Sequence, residues 1–232
     1  MNTWNDRGIA PDQVKTILSA IVLTIFIISL SVVLVLNCRV LYYHDIKALG
    51  IEQLCGRSAE EIKQNYDALI SYNSLFYRGA LEFPTLSMSD EAAIHFADVK
   101  RIFDMVQIIC IMSGIGTIAV VILNRKWRLW DYFRMAGILT LAVPTVLSTF
   151  MAMSWSKFFV VFHQILFRND FWLFDPATDP IILMLPDRYF MHCALAILGC
   201  IVVGSLLCFF MNRRVTRKNI HKKQYALPKD KE

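Results

Sequence analysis

Apolar and polar residues along this chain fall into long separate blocks. Residues 16–36 carry no charged side chain, and 105–123, 135–153 and 194–211 repeat the pattern. At about 1.5 Å per helical residue, each block suits a hydrocarbon layer roughly 30 Å thick. Four membrane-spanning helices are predicted. A cleavable signal peptide would have a shorter core ending in small residues. Asn37, Cys38 and Arg39 follow the first block instead, so it reads as an uncleaved first span. Two longer segments, 37–104 and 154–193, separate the spans, and 212–232 forms a basic tail. The fold class expected is an all-α membrane protein, one integral membrane unit over 1–232. Its two extracytoplasmic segments form a cap of short helices with a little β structure possible.

The first of these segments carries its own helix signals. Ser58 and Glu61 make an S-x-x-E capping box, so a helix starts near Ala59. Ile62, Tyr66, Leu69 and Asn73 then share one face. Pro84 closes that region. Ser89 suits the N-cap of a second helix, with Asp90 and Glu91 in its first turn. This helix places Glu91, His95, Asp98 and Ile102 on one face and is expected to run into the span at 105–123. His95 stands ten residues before Met105, about 15 Å along a straight helix. The helix must kink, or the charges of Arg101 and Asp104 must lie low and paired.

The second segment contains 158–190, which is apolar enough to touch a membrane. Asp175-Pro176 and Asp179-Pro180 forbid a long helix there. It reads as an interfacial or re-entrant piece that holds His163 at the water–lipid boundary. The run 181–185 is compatible with a short strand.

Composition settles the solvent. Hydrophobic residues are 56% and charged residues 19%, with mean hydropathy +0.47. A soluble domain has about a quarter of its residues charged. The net charge of +5 is concentrated after the last span, which favours an anionic lipid leaflet over nucleic acid. Arg125, Lys126, Arg128 and Arg134 crowd the short loop after the second span, whereas 154–193 holds only Lys157, Arg168 and Arg188. The positive-inside rule therefore puts this loop and both termini in the cytoplasm, and His95 and His163 outside. Trp127 and Trp130 mark the inner boundary, Trp155 and Trp172 the outer. No Asp, Glu, Lys, Arg or His falls within the four spans, which argues against an ion-coupled transporter. Gly114 and Gly116 suit close helix packing.

The six cysteines form no C-x-x-C pair. A Cys38–Cys55 disulfide is conceivable, but free thiols are the expectation. No metal site, HExxH or GxSxG motif is present. Two histidines remain. His95, beside Glu91 and Asp98, could be a base whose carboxylate neighbours fix its tautomer and raise its pKa. His163, among Phe159, Phe162, Ile165 and Phe167, could be a neutral acid or base in an apolar pocket. Taken singly, each is better explained as an ordinary histidine, His95 on an exposed charged helix face and His163 in an interfacial core. Their shared side of the membrane makes them a pair. His44 and His192 read as interfacial, His221 as part of the tail, and Asp170, Asp175 and Asp179 as turn formers.

The residues His95-x-x-Asp98-Val99-Lys100 and Phe162-His163-x-x-x-Phe167-x-Asn169-Asp170-x-Trp172-x-x-Asp175, with Pro186 before Phe190, resemble the bacterial lipoprotein intramolecular transacylase family, Lit. The resemblance covers nearly the whole chain. Gln164 departs from it, since the family often has an acidic residue there. It implies transfer of the sn-2 acyl chain of a diacylglyceryl-cysteine lipoprotein to the α-amino group of the same cysteine. His95 and His163 map onto the family's catalytic histidines, with the carboxylate neighbours favouring His95 as the base. Glu91, Asp98, Asn169, Trp172 and Asp175 form the supporting or substrate-binding set, Asn169 as a candidate oxyanion donor. A diacylated lipoprotein and membrane lipids are the partners, no cofactor is implied, and the location is the bacterial plasma membrane. The alternatives are a non-catalytic membrane protein that binds lipoproteins or exported partners, and a phospholipid acyltransferase.

Overall fold

The computed structural model describes residues 10–127 and 129–225. Nine helices connect these residues: α1 (Pro11–Leu36), α2 (Arg39–Ala48), α3 (Ile51–Cys55), α4 (Ala59–Tyr72), α5 (Asp90–Trp127), α6 (Tyr132–Met153), α7 (Trp155–Leu166), α8 (Ile181–Met184) and α9 (Asp187–Tyr225). No strand occurs among the described residues. Residues 181–184, where a strand was possible, form a single helical turn, α8. Arg128, the tail from 226 onward and the side chains of Trp127 and His221 lie outside the described residues.

Four helices are long and apolar enough to cross a membrane: α1, α5, α6 and α9. Helix α1 packs against the other three, and α6 packs along α9. Small side chains allow these approaches. A Cβ on Gly114 would meet the Phe26 ring at 3.1 Å, and one on Gly116 would meet Val22 at 3.1 Å. Polar side chains add specific ties. Asn124 donates to Ser19 Oγ at 2.9 Å, and Ser205 to the Gly137 carbonyl at 2.8 Å. The outward faces remain apolar, as with Met112, Ile115, Ile118 and Ile122 on α5.

The cap sits over the end of the bundle where α1 and α6 finish and α5 and α9 begin. Ser58 caps α4 by accepting the Glu61 N–H at 3.3 Å. The reciprocal half of the expected box is absent: the Glu61 carboxylate pairs with Arg57. Glu52 of α3 instead accepts the Ala59 N–H at 3.1 Å. Ile62, Tyr66, Leu69 and Asn73 are buried, as their spacing predicts. Tyr66 stacks on Tyr42 with centroids 3.7 Å apart and shares a 2.7 Å hydrogen bond with Tyr189. Tyr42 donates to the Met184 carbonyl at 2.8 Å. One aromatic cluster thus joins α2, α4, α8 and the start of α9. Cys38 and Cys55 are free thiols.

Helix α5 runs without a break for 38 residues, about 57 Å. It therefore belongs to both cap and bundle. The charges between His95 and Met105 are neutralised in place: Asp98 binds Arg101 at 2.6 Å, and Asp104 binds Lys100 at 3.1 Å.

The closest helix approach predicts a stability contrast. A Cβ on Gly204 would lie 2.5 Å from Cγ2 of Ile27, whereas one on Gly199 meets nothing within 4 Å. Ile27 is β-branched and stiff at χ1, so it yields poorly. Gly199→Ala should hold or raise Tm in detergent, since alanine is favoured in a helix by about 0.8–1 kcal/mol. Gly204→Ala should lower it. Equal shifts would contradict the close α1–α9 contact.

Candidate active site

Three pieces of chain converge at one edge of the cap. The first is the N-terminal part of α5. Ser89 caps it, accepting the Ala92 N–H at 3.1 Å. Asp179 holds Ser89 in turn, accepting its N–H at 2.7 Å and its hydroxyl at 2.9 Å. Thr178 adds a third donor at 2.7 Å. Asp179 is buried, and its negative charge sits at the positive end of the α5 dipole. The sequence alone gives it a turn-forming role; only the fold shows a carboxylate that anchors the helix bearing His95.

The second piece is α7. At 12 residues it spans about 18 Å, too short to cross a bilayer. It has no buried residue, and Val161, Phe162 and Ile165 are exposed apolar side chains. That length and exposed apolar face suit a membrane interface. Its start is tied to α9: Trp155 donates to the Asp187 carbonyl at 3.1 Å, and Phe159 packs on Phe190.

The third piece is the loop 167–180, which folds back over α7. Asn169 accepts the Phe171 N–H at 3.2 Å, and Asp175 accepts the Ala177 N–H at 2.9 Å. These side chains shape the turns that bring Phe167, Trp172 and Phe174 onto the two imidazoles. Phe167 lies 4.7 Å from His95 and 5.8 Å from His163, centroid to centroid. Phe174 lies 5.4 Å from His95. Trp172 stacks on His163 at 4.8 Å and 28°.

The two histidine rings are 6.2 Å apart. His95 is 7% exposed and His163 half-buried. Both rings lie in the cap, outside the apolar stretch that begins at Met105. Burial pushes the His95 pKa down to about 4; His163 lowers it further, and Asp98 acts weakly the other way. Burial also lowers the His163 value, against the Phe159 carbonyl. This corrects the expectation that carboxylates raise the His95 pKa. Glu91 is exposed, and the Asp98 carboxylate is engaged with Arg101. Desolvation dominates because neither carboxylate hydrogen-bonds the imidazole.

The tautomer of His163 follows from its partner. Its Nδ1 is 2.7 Å from the Phe159 carbonyl, which can only accept. Nδ1 therefore carries the hydrogen, and Nε2 keeps its lone pair. His95 Nδ1 and Trp172 Nε1 are buried with no hydrogen-bond partner among the described residues. No group of three metal-ligating side chains occurs among the described residues.

The family described as "Lipoprotein intramolecular transacylase Lit" matches residues 17–190. The chain belongs to the Lit family. The membrane-integral Lit of Bacillus cereus is 40% identical, covers 90% of this chain and 98% of its own, and superimposes with a TM-score of 0.88. Structures of that Lit with one histidine replaced by arginine or by alanine are 39% identical, each with a TM-score of 0.83. They cover 91% and 90% of this chain, and 94% and 96% of their own. No curated protein matches the chain. This Lit protein is thus a multi-pass membrane acyltransferase that modifies lipoproteins.

Asp179→Asn tests the anchor under α5. An amide offers one acceptor oxygen where Asp179 receives three donors. Loss of a buried acceptor costs about 1–3 kcal/mol. The variant should show a lower Tm in detergent and reduced transacylation. Wild-type values for both would contradict the anchoring role.

Proposed function

We propose that this Lit protein moves the sn-2 acyl chain of a diacylglyceryl-cysteine lipoprotein onto the α-amino group of the same cysteine, with His95 and His163 handling the protons. The observation that carries this reading is the pair of neutral imidazoles 6.2 Å apart, brought together from two separate cap segments. The site faces the outer surface of the bacterial plasma membrane, with both termini in the cytoplasm. The lysine and arginine bias of the loops supports that orientation.

The substrate amine has a reference pKa of about 7.7–8.0 and must be neutral to attack. His163 suits the general base, because its Nδ1–H is tied to Phe159 and Nε2 is free to accept. The nitrogen attacks the ester carbonyl carbon and closes a ring through Cα, Cβ, sulfur, two glyceryl carbons and the ester oxygen. Both reactants belong to one molecule, so the site needs only to fold it correctly. An oxyanion forms, the ester C–O bond breaks, and the glyceryl oxygen takes a proton. His95 suits the second role: it relays to the alkoxide the proton that His163 took from the amine, so no external acid is consumed. No acyl-enzyme is needed.

His95→Asn and His163→Asn should each abolish transfer while the protein stays folded in the membrane. A purified diacyl lipopeptide in detergent, analysed by tandem mass spectrometry, reads this directly. The acyl chain should appear on the amine with no change in total mass. Full activity in either variant would remove that histidine from the mechanism.

The pH dependence has a definite sign. Both histidines are held below the ordinary value of 6.5 and stay neutral down to lower pH. As pH falls from 8, kcat/KM should follow the protonation of the substrate amine alone. The second, steeper loss should begin below 6.5, where the base itself protonates. A histidine limb at or above 6.5 would contradict the desolvated pair.

A further inference from the structure

We propose that the indole N–H of Trp172 is the hydrogen-bond donor that holds the oxyanion of this transacylation. The inference rests on the reaction described above and adds a residue to it. Trp172 Nε1 is buried and has no acceptor among the described residues. Buried donors are nearly always paired, and an unpaired one costs about 1–3 kcal/mol. A buried tryptophan usually finds a partner for its N–H. Trp155, earlier in the same segment, does so through the Asp187 carbonyl. Trp172 is the tryptophan that touches the proposed base, and its N–H is unpaired among the described residues.

The geometry narrows what the acceptor can be. Trp172 and His163 are stacked at 4.8 Å with their planes 28° apart. An indole N–H points outward in its own ring plane, so a stacked imidazole does not receive it. The other rings against His163, Phe159 and Phe167, offer no side-chain acceptor. The indole nitrogen is a donor only. The missing partner is therefore an oxygen brought by the substrate, beside the histidine that removes its proton. The attacking amine is unsuitable, because accepting a hydrogen bond would occupy the lone pair it needs. The ester carbonyl oxygen is acceptor-only and gains a full negative charge as the C–N bond forms. A fixed donor in an apolar wall favours the charged state over the neutral ester.

The step balances as follows. The amine proton passes to His163 Nε2 as the C–N bond forms, and the ester π electrons move onto the oxygen held by Trp172. The lone pair returns, the C–O bond breaks, and the glyceryl oxygen takes up the proton that His163 removed, relayed by His95. Trp172 keeps its hydrogen throughout.

The test replaces one atom group. Incorporation of 3-benzothienylalanine at Trp172 keeps ring size and stacking but puts sulfur where the N–H was. With a diacyl lipopeptide in detergent, kcat should fall about 10²–10³-fold, the loss typical of one oxyanion donor. KM and Tm should stay near wild type. Trp172→Phe should show a comparable fall in kcat. As a measurement that needs no variant, the Trp172 indole N–H resonance in the wild-type protein should move downfield on binding a phosphonate analogue of the tetrahedral intermediate. Wild-type kcat in the benzothienyl protein, or an unmoved resonance with the analogue bound, would reduce Trp172 to a packing surface for His163. Absence of transacylation by the wild-type protein would instead overturn the underlying reaction.

Discussion

The site depends on α5 being one unbroken helix. A rigid rod shared by bundle and cap fixes the height and the rotation of His95 together, because both follow from the packing of α5 on α1. The rod is locked at its free end by Asp179, whose buried carboxylate takes the Ser89 N–H and hydroxyl. The same carboxylate belongs to the loop that carries Trp172 and Phe174. One residue therefore couples the helix of His95 to the wall around His163. The short ion pairs of Asp98 with Arg101 and Asp104 with Lys100 let the rod pass from polar cap to apolar bundle without unwinding.

Desolvation is the second organising force. Aromatic rings surround both imidazoles, and the cost of burying a charge keeps them neutral where an exposed histidine would begin to protonate. Neutral histidine has one donor and one acceptor nitrogen, so tautomer control matters. For His163 the control is the carbonyl one helical turn back, at Phe159. No carboxylate partner is required, which fits the presence of Gln164 rather than an acid beside it. The apolar wall thus sets the protonation state, and a backbone group sets the tautomer.

The cap is fastened to the bundle by a separate polar centre. Asp45 of α2 is 1% exposed and lies 2.7 Å from His192 Nδ1, with His44 Nδ1 at 3.4 Å on its other oxygen. The Tyr42, Tyr66 and Tyr189 cluster reinforces the same junction. These contacts fix the start of α9, and α9 in turn fixes α7 through Trp155 and Phe159. The position of His163 is therefore set from α9 and that of His95 from α5. The aromatic loop closes the gap between them.

Much of this was written in local pattern. Charge-free blocks identified the four membrane helices, because lipid tolerates no unpaired backbone and few charges. The cap at Ser58, the N-cap at Ser89 and the small residues Gly114 and Gly116 were legible for the same reason: each acts on groups a few residues away or on a neighbouring helix face. The candidate pair, His95 and His163, was legible as chemistry without a place. What the sequence could not supply was partnership across distance. Spacing put Glu91 and Asp98 beside His95, yet Asp98 chose Arg101 and Glu91 faces solvent. Nothing local distinguishes Asp179, a buried anchor, from Asp175, an exposed turn residue, though both precede proline. Nor does spacing reveal that His192 meets Asp45, or that Trp172 lies flat on His163 with its N–H unpaired. Helix formation and membrane crossing are decided by summed local free energies. Burial, pKa and hydrogen-bond choice depend on which surfaces meet, and only the tertiary structure decides that.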